Sequence, residues 1–82
     1  MKFEVYSKDD CNYCYKVKQV LELTGKNFVV YNLNEDFSKE DFILKFGNNA
    51  TFPQVFYNDK LIGGAIETIQ YIKNEREEIE HK

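Results

Sequence analysis

Cys11 and Cys14 are the chain's two cysteines, and they frame the stretch Cys11-Asn12-Tyr13-Cys14 between an apolar, strand-like run and a helix-like one. The thiolate is the reactive form of cysteine, and a helix start favours it. Backbone N–H groups there lack intrahelical partners, and the helix dipole presents its positive end. A second thiol within one turn is close enough to close a small disulfide ring with the first. Strand, C-x-x-C and helix in a compact chain read as a dithiol redox site, with metal binding as the other chemistry of paired thiols. A structural zinc site needs four ligands, and the chain has no second cysteine pair, so no metal site is expected. His81 is the single histidine and sits in a charged tail, where it reads as neither base nor ligand.

The elements that position this pair come from a chain of 82 residues, expected to form one domain over 1–82 around one core. Its hydrophobic content of 43%, with seven Phe and six Tyr, is enough for that core. A net charge of −3 without a Lys/Arg cluster argues against a nucleic-acid partner. No run approaches the roughly 20 apolar residues of a membrane span. Met1-Lys2-Phe3-Glu4 carries an acid where a signal peptide needs an apolar stretch. A cytoplasmic monomer is the expectation. In that compartment structural disulfides are rare, and C-x-x-C is catalytic or metal-binding.

Residues 2–7 alternate in polarity and predict a strand. Lys8-Asp9-Asp10 is a polar loop, and from Asn12 to about Thr24 the residues Val17, Val20, Leu21 and Thr24 mark one helix face, with Gly25 as the stop. Phe28 to Leu33 is a continuous apolar run, suited to a strand covered on both faces. This first half is a βαβ unit with parallel strands and a right-handed crossover. Ser38 stands three residues before Asp41 as in a capping box, opening a short helix through Phe42, Ile43 and Phe46 that Gly47 ends. Gln54 to Tyr57 and Lys60 to Ile62 form a hairpin around Asn58-Asp59. After Gly63-Gly64 a last helix begins at Ala65, with Ile66, Ile69 and Ile72 expected on one face. The tail from Glu75 is almost wholly charged and is expected to be solvated and frayed. The order β-α-β-α-β-β-α predicts an α/β, thioredoxin-like fold: a four-stranded mixed sheet with helices on both faces. Phe28, Tyr31, Phe42, Phe46 and Phe56 read as core.

Three separated pieces together resemble glutaredoxin: Lys8-Asp9-Asp10-Cys11-Asn12-Tyr13-Cys14, then Thr51-Phe52-Pro53, then Gly63-Gly64 opening the last helix. The family pattern is C-P-Y-C, T-V-P and G-G followed by a small residue and an acid, and the resemblance spans essentially the whole chain. It implies a thiol-disulfide oxidoreductase in which Cys11 attacks a disulfide sulfur and Cys14 resolves the mixed disulfide. It also implies glutathione as co-substrate with no tightly bound cofactor, and disulfide-bearing proteins, ribonucleotide reductase among them, as partners. The glutathione-binding residues it implies are Lys8, Tyr13, Thr51, Phe52, Pro53, Gly64, Ala65 and Ile66. The Phe52–Pro53 bond is then cis, exposing the Phe52 backbone to a bound peptide. N–H groups of Ala65 and Ile66 hold the γ-glutamyl carboxylate. Lys8 lowers the Cys11 pKa and meets a glutathione carboxylate, while Asp9 and Asp10 oppose that lowering.

Two positions depart from the pattern. Asn12 replaces the proline of C-P-Y-C, next to the redox pair. Ile66 stands where an acid or serine usually engages the glutathione amino group, and Glu67 is the nearest substitute. Ile66 therefore keeps open a thioredoxin-like reductase served by another donor. A glutathione-assisted iron–sulfur cluster shared between two chains is the remaining alternative.

Overall fold

The computed structural model describes residues 2–80, with side chains up to Glu75. Its elements are β1 (Phe3–Ser7), α1 (Asn12–Leu23), β2 (Phe28–Asn32), α2 (Lys39–Phe46), β3 (Gln54–Tyr57), β4 (Lys60–Gly63) and α3 (Ala65–Glu80). Element order and boundaries agree closely with the sequence reading. The sheet runs β2-β1-β3-β4. β1 is parallel to β2, as the βαβ unit requires, and antiparallel to β3, while β3 and β4 form an antiparallel hairpin. Asn58 and Asp59 turn that hairpin with φ of 50° and 66°, a left-handed conformation that Asn and Asp tolerate better than most side chains.

The alternation read in β1 becomes two different core layers. Phe3, Val5 and Ser7 are buried on the face covered by α1 and α3, where Phe3 and Val5 pack with Val17, Leu21, Val55, Ala65 and Ile72. The opposite face is aromatic. Tyr6 meets the rings of Tyr31, Phe37, Phe46 and Phe56, and buried Phe42 stacks on Phe52 with centroids 4.1 Å apart. Phe42 and Phe46 both belong to α2, so this layer fastens α2 to the sheet and reaches the residue before Pro53.

Local chemistry sets the helix ends. Ser38 Oγ accepts the Asp41 N–H at 3.1 Å and Asp41 Oδ2 accepts the Ser38 N–H at 3.3 Å, which is the expected capping box. Thr24 Oγ1 donates to the Val20 carbonyl at the end of α1, and Gly25 follows at φ 68°.

Three expectations change. β2 is not covered on both faces: it is an edge strand, and all five of its residues are only half-buried. The inward line of α3 is Ala65, Thr68 and Ile72, leaving Ile66 67% exposed and Ile69 half-buried. A step from 65 to 68 to 72 follows one helix face as well as a run of isoleucines does, and it is this face that is buried. Glu75 is not simply solvated, because its Oε1 accepts from Lys26 Nζ at 2.8 Å and ties α3 to the turn after α1. The backbone of α3 continues through Glu80, while the remaining charged side chains and His81 lie outside the described residues.

Candidate active site

β1 ends at Ser7, and the loop Lys8-Asp9-Asp10 carries the chain to the head of α1, with Asp10 at φ 54° making the turn. Cys11 is the N-cap of α1, in an extended conformation, and its Sγ accepts the backbone N–H of Cys14 at 3.2 Å. Negative charge on that sulfur strengthens such a bond, so the local fold favours a thiolate at this position. Cys11 and Cys14 are joined as a disulfide with Cα atoms 5.2 Å apart, inside the range of about 4.4–6.8 Å that such bonds span. Cys11 is partly exposed. Cys14 is buried, on the same inward line of α1 as Val17 and Leu21. An outside thiolate or disulfide therefore reaches the first sulfur and not the second.

Six of the eight residues expected to bind glutathione line one cavity of about 320 Å³: Tyr13, Thr51, Phe52, Gly64, Ala65 and Ile66. Such a volume suits a small ligand or the end of a peptide. The other two adjoin it. Lys8 places its Nζ 5.3 Å from the centroid of the Phe52 ring. Pro53 is buried, and the bond between Phe52 and Pro53 is cis. The three motifs that lie far apart in the chain thus meet around Tyr13, itself between the two cysteines and 55% exposed.

Glu67 also lines the cavity. Its Oε1 accepts the Gly64 N–H at 3.0 Å, and the buried Thr68 hydroxyl donates to the Gly64 carbonyl at 2.8 Å. Gly64 is held from both sides at the first turn of α3, where N–H groups lack intrahelical partners. Gly63 adopts φ 127°, and a Cβ there would lie 3.1 Å from Glu67 Cβ, so both conformation and space call for glycine. The sequence shows an acid near the site but not that its oxygen is already engaged by the helix start.

Ser7 lies outside the sequence-predicted site, yet it is wholly buried at the strand end that leads into the cysteines, and its Oγ has no hydrogen-bond partner among the described residues. Its parity with Phe3 and Val5 is the signal that places it inward.

A four-stranded mixed sheet flanked by helices, with a C-x-x-C disulfide at the head of the first helix and a cis-proline just before β3, defines a protein of the thioredoxin-like class. Residues 3–62 match the family described as Glutaredoxin. Glutaredoxin 3 of Escherichia coli K12 is 31% identical over 61 residues, which cover 74% of each chain. Glutaredoxin 1 of Rickettsia prowazekii is 36% identical over 66 residues, covering 73% of this chain and 65% of that one. The structure of reduced Escherichia coli glutaredoxin superposes with a TM-score of 0.76 over 94% of this chain and 99% of that one, a likeness of fold at 23% identity. A buckwheat glutaredoxin–glutathione complex superposes with a TM-score of 0.73 at 27% identity, over 89% of this chain and 69% of that one. The chain belongs to the glutaredoxin family, and it is a thiol-disulfide oxidoreductase.

Proposed function

We propose that the protein reduces protein and mixed disulfides at the expense of glutathione, with residues 1–82 acting as one domain and Cys11 and Cys14 as the cycling pair. The observation that carries this reading is the single cavity in which Tyr13, Thr51, Phe52, Gly64, Ala65 and Ile66 adjoin the helix start bearing the two cysteines. The similarity to the buckwheat glutaredoxin–glutathione complex supports the choice of co-substrate.

In the reduced protein, the Cys11 thiolate attacks one sulfur of a substrate disulfide. That S–S bond breaks, and the departing thiolate takes a proton from solvent. Cys14, deprotonated, then attacks Cys11 Sγ, releases the second substrate thiol and leaves the Cys11–Cys14 disulfide. One glutathione thiolate reopens that disulfide at Cys11, and a second attacks the glutathionyl sulfur, yielding glutathione disulfide and the dithiol. Attack falls on Cys11 because Cys14 is buried. N–H groups of Ala65 and Ile66 at the α3 start hold the γ-glutamyl carboxylate, and Lys8 meets the other end of the tripeptide. The Phe52 backbone pairs with the bound chain as a strand would.

The test is turnover of a small mixed disulfide with glutathione, its reductase and NADPH. Steady NADPH consumption that disappears in Cys11→Ser is expected. Absence of turnover in the native protein, or full activity in the variant, overturns the proposal.

A further inference from the structure

Among the described residues two polar side chains are fully buried, Ser7 and Thr68, each with 0% exposure. They differ in one respect. Thr68 Oγ1 donates to the Gly64 carbonyl at 2.8 Å, while Ser7 Oγ has no partner among the described residues. The Ser7 carbonyl accepts the Leu33 N–H at 2.9 Å, so it is not the group left without a partner. A buried hydroxyl without a partner carries its full desolvation penalty, whereas alanine in the same place carries none.

Position suggests what the hydroxyl is for. Ser7 shares the inward face of β1 with Phe3 and Val5 and is the last residue of that strand. After a three-residue loop and the N-cap Cys11, α1 runs back along the same face. The inward line of α1 is Cys14, Val17 and Leu21, with Cys14 first. Strand end and helix start therefore coincide, and Ser7 and Cys14 occupy the same end of the same buried layer, with Cys14 only 1% exposed.

We propose that the Ser7 hydroxyl serves the sulfur of Cys14: it is unpaired while the Cys11–Cys14 disulfide is closed and donates a hydrogen bond to Cys14 Sγ once the disulfide opens. The inference rests on the reading of Cys11 and Cys14 as a cycling pair. When a thiolate attacks Cys11 Sγ, the new S–S bond forms there and the electron pair of the broken bond departs on Cys14 Sγ. That sulfur becomes an anion at a position only 1% exposed. The Ser7 O–H stabilises it without giving up its proton, and the proton that later neutralises Cys14 comes from solvent. In the reverse direction the same bond holds Cys14 as a thiolate ready to attack the mixed disulfide on Cys11. Ser7 thus favours the dithiol over the disulfide, by a penalty in one state and a hydrogen bond in the other.

Ser7→Ala separates this role from plain packing. Removing the oxygen relieves the disulfide form and deprives the dithiol form, so both effects act in one direction. Equilibration of the variant in glutathione redox buffers is expected to shift the dithiol–disulfide constant roughly tenfold toward the disulfide, about 30 mV lower in potential. Thermal unfolding of the two redox forms must agree: the variant melts higher than native protein when oxidised and lower when reduced. An unchanged equilibrium constant with equal melting shifts in both forms overturns the inference, and is the result expected if buried water or packing alone accounts for Ser7. A native Cys11–Cys14 pair that never opens under glutathione overturns the dithiol reading and this inference together. A native pair that cycles beside an unshifted variant overturns the inference alone.

Discussion

Ile66 puts an aliphatic side chain, 67% exposed, on the wall of the cavity at the start of α3. The γ-glutamyl end of glutathione carries a carboxylate and an ammonium group. In the proposed binding mode, helix-start N–H groups answer the first, and an acid is needed for the second. Ile66 supplies none, and Glu67 has one oxygen committed to the Gly64 N–H at 3.0 Å. Ile66→Asp restores an anion beside the ammonium and adds favourable charge to the first turn of α3. Because the pair remains largely in water, the gain is modest: KM for glutathione is expected to fall about three- to fivefold, with kcat nearly unchanged. Steady-state kinetics of both proteins checks this. An unchanged KM would show that the ammonium group does not reach position 66. The same residue favours the second donor reading, and a native protein that turns over faster with another thiol than with glutathione would establish it.

At the scale of elements, the edge strand β2 is held to β1 by more than its backbone ladder. Tyr31 Oη donates to Glu4 Oε2 at 3.0 Å across the outer strand pair. The Glu4 carboxylate accepting that hydrogen bond raises the Tyr31 pKa above its ordinary value, and burial adds to the effect. The folded protein then holds this proton more tightly than the unfolded chain does. The stability it contributes is fully present below about pH 10, where unfolded tyrosine is neutral, and is lost as pH rises through the raised folded value. Urea unfolding of native protein is expected to weaken above about pH 10, with a shallower decline in Glu4→Gln. Equal slopes would mean that the contact does not govern Tyr31. The edge position of β2 is itself invisible in sequence, since a run of Phe28, Val29, Val30 and Tyr31 reads the same in a central strand. Pairing order depends on partners far along the chain. The inward face of α3 fails for a related reason: Ile66, Ile69 and Ile72 offer an apolar spacing as regular as Ala65, Thr68 and Ile72, and only the approach of the sheet decides between them.

Across the whole molecule, the order of elements and the location of the site are legible in the chain because local signals agree. Polarity alternates through β1, α1 has one apolar face, and Gly25, Gly47, Asn58-Asp59 and Gly63-Gly64 each interrupt the pattern where an element ends. Three motifs separate in the chain converge on one cavity, so a resemblance spread over the chain reads as a single surface. What sequence leaves out are relationships between side chains: the bond from Gly64 to Glu67, the stacking of Phe42 on Phe52 at 4.1 Å, and the unpaired hydroxyl of Ser7. In the proposed cycle the partly exposed Cys11 receives glutathione while the buried Cys14 resolves. Mass spectrometry of Cys14→Ser after exposure to glutathione disulfide tests this most directly. One glutathionyl group per chain is expected, mapped to Cys11 and released by added glutathione. An unmodified chain, in a preparation whose native counterpart reduces disulfides with a different thiol donor, would contradict it.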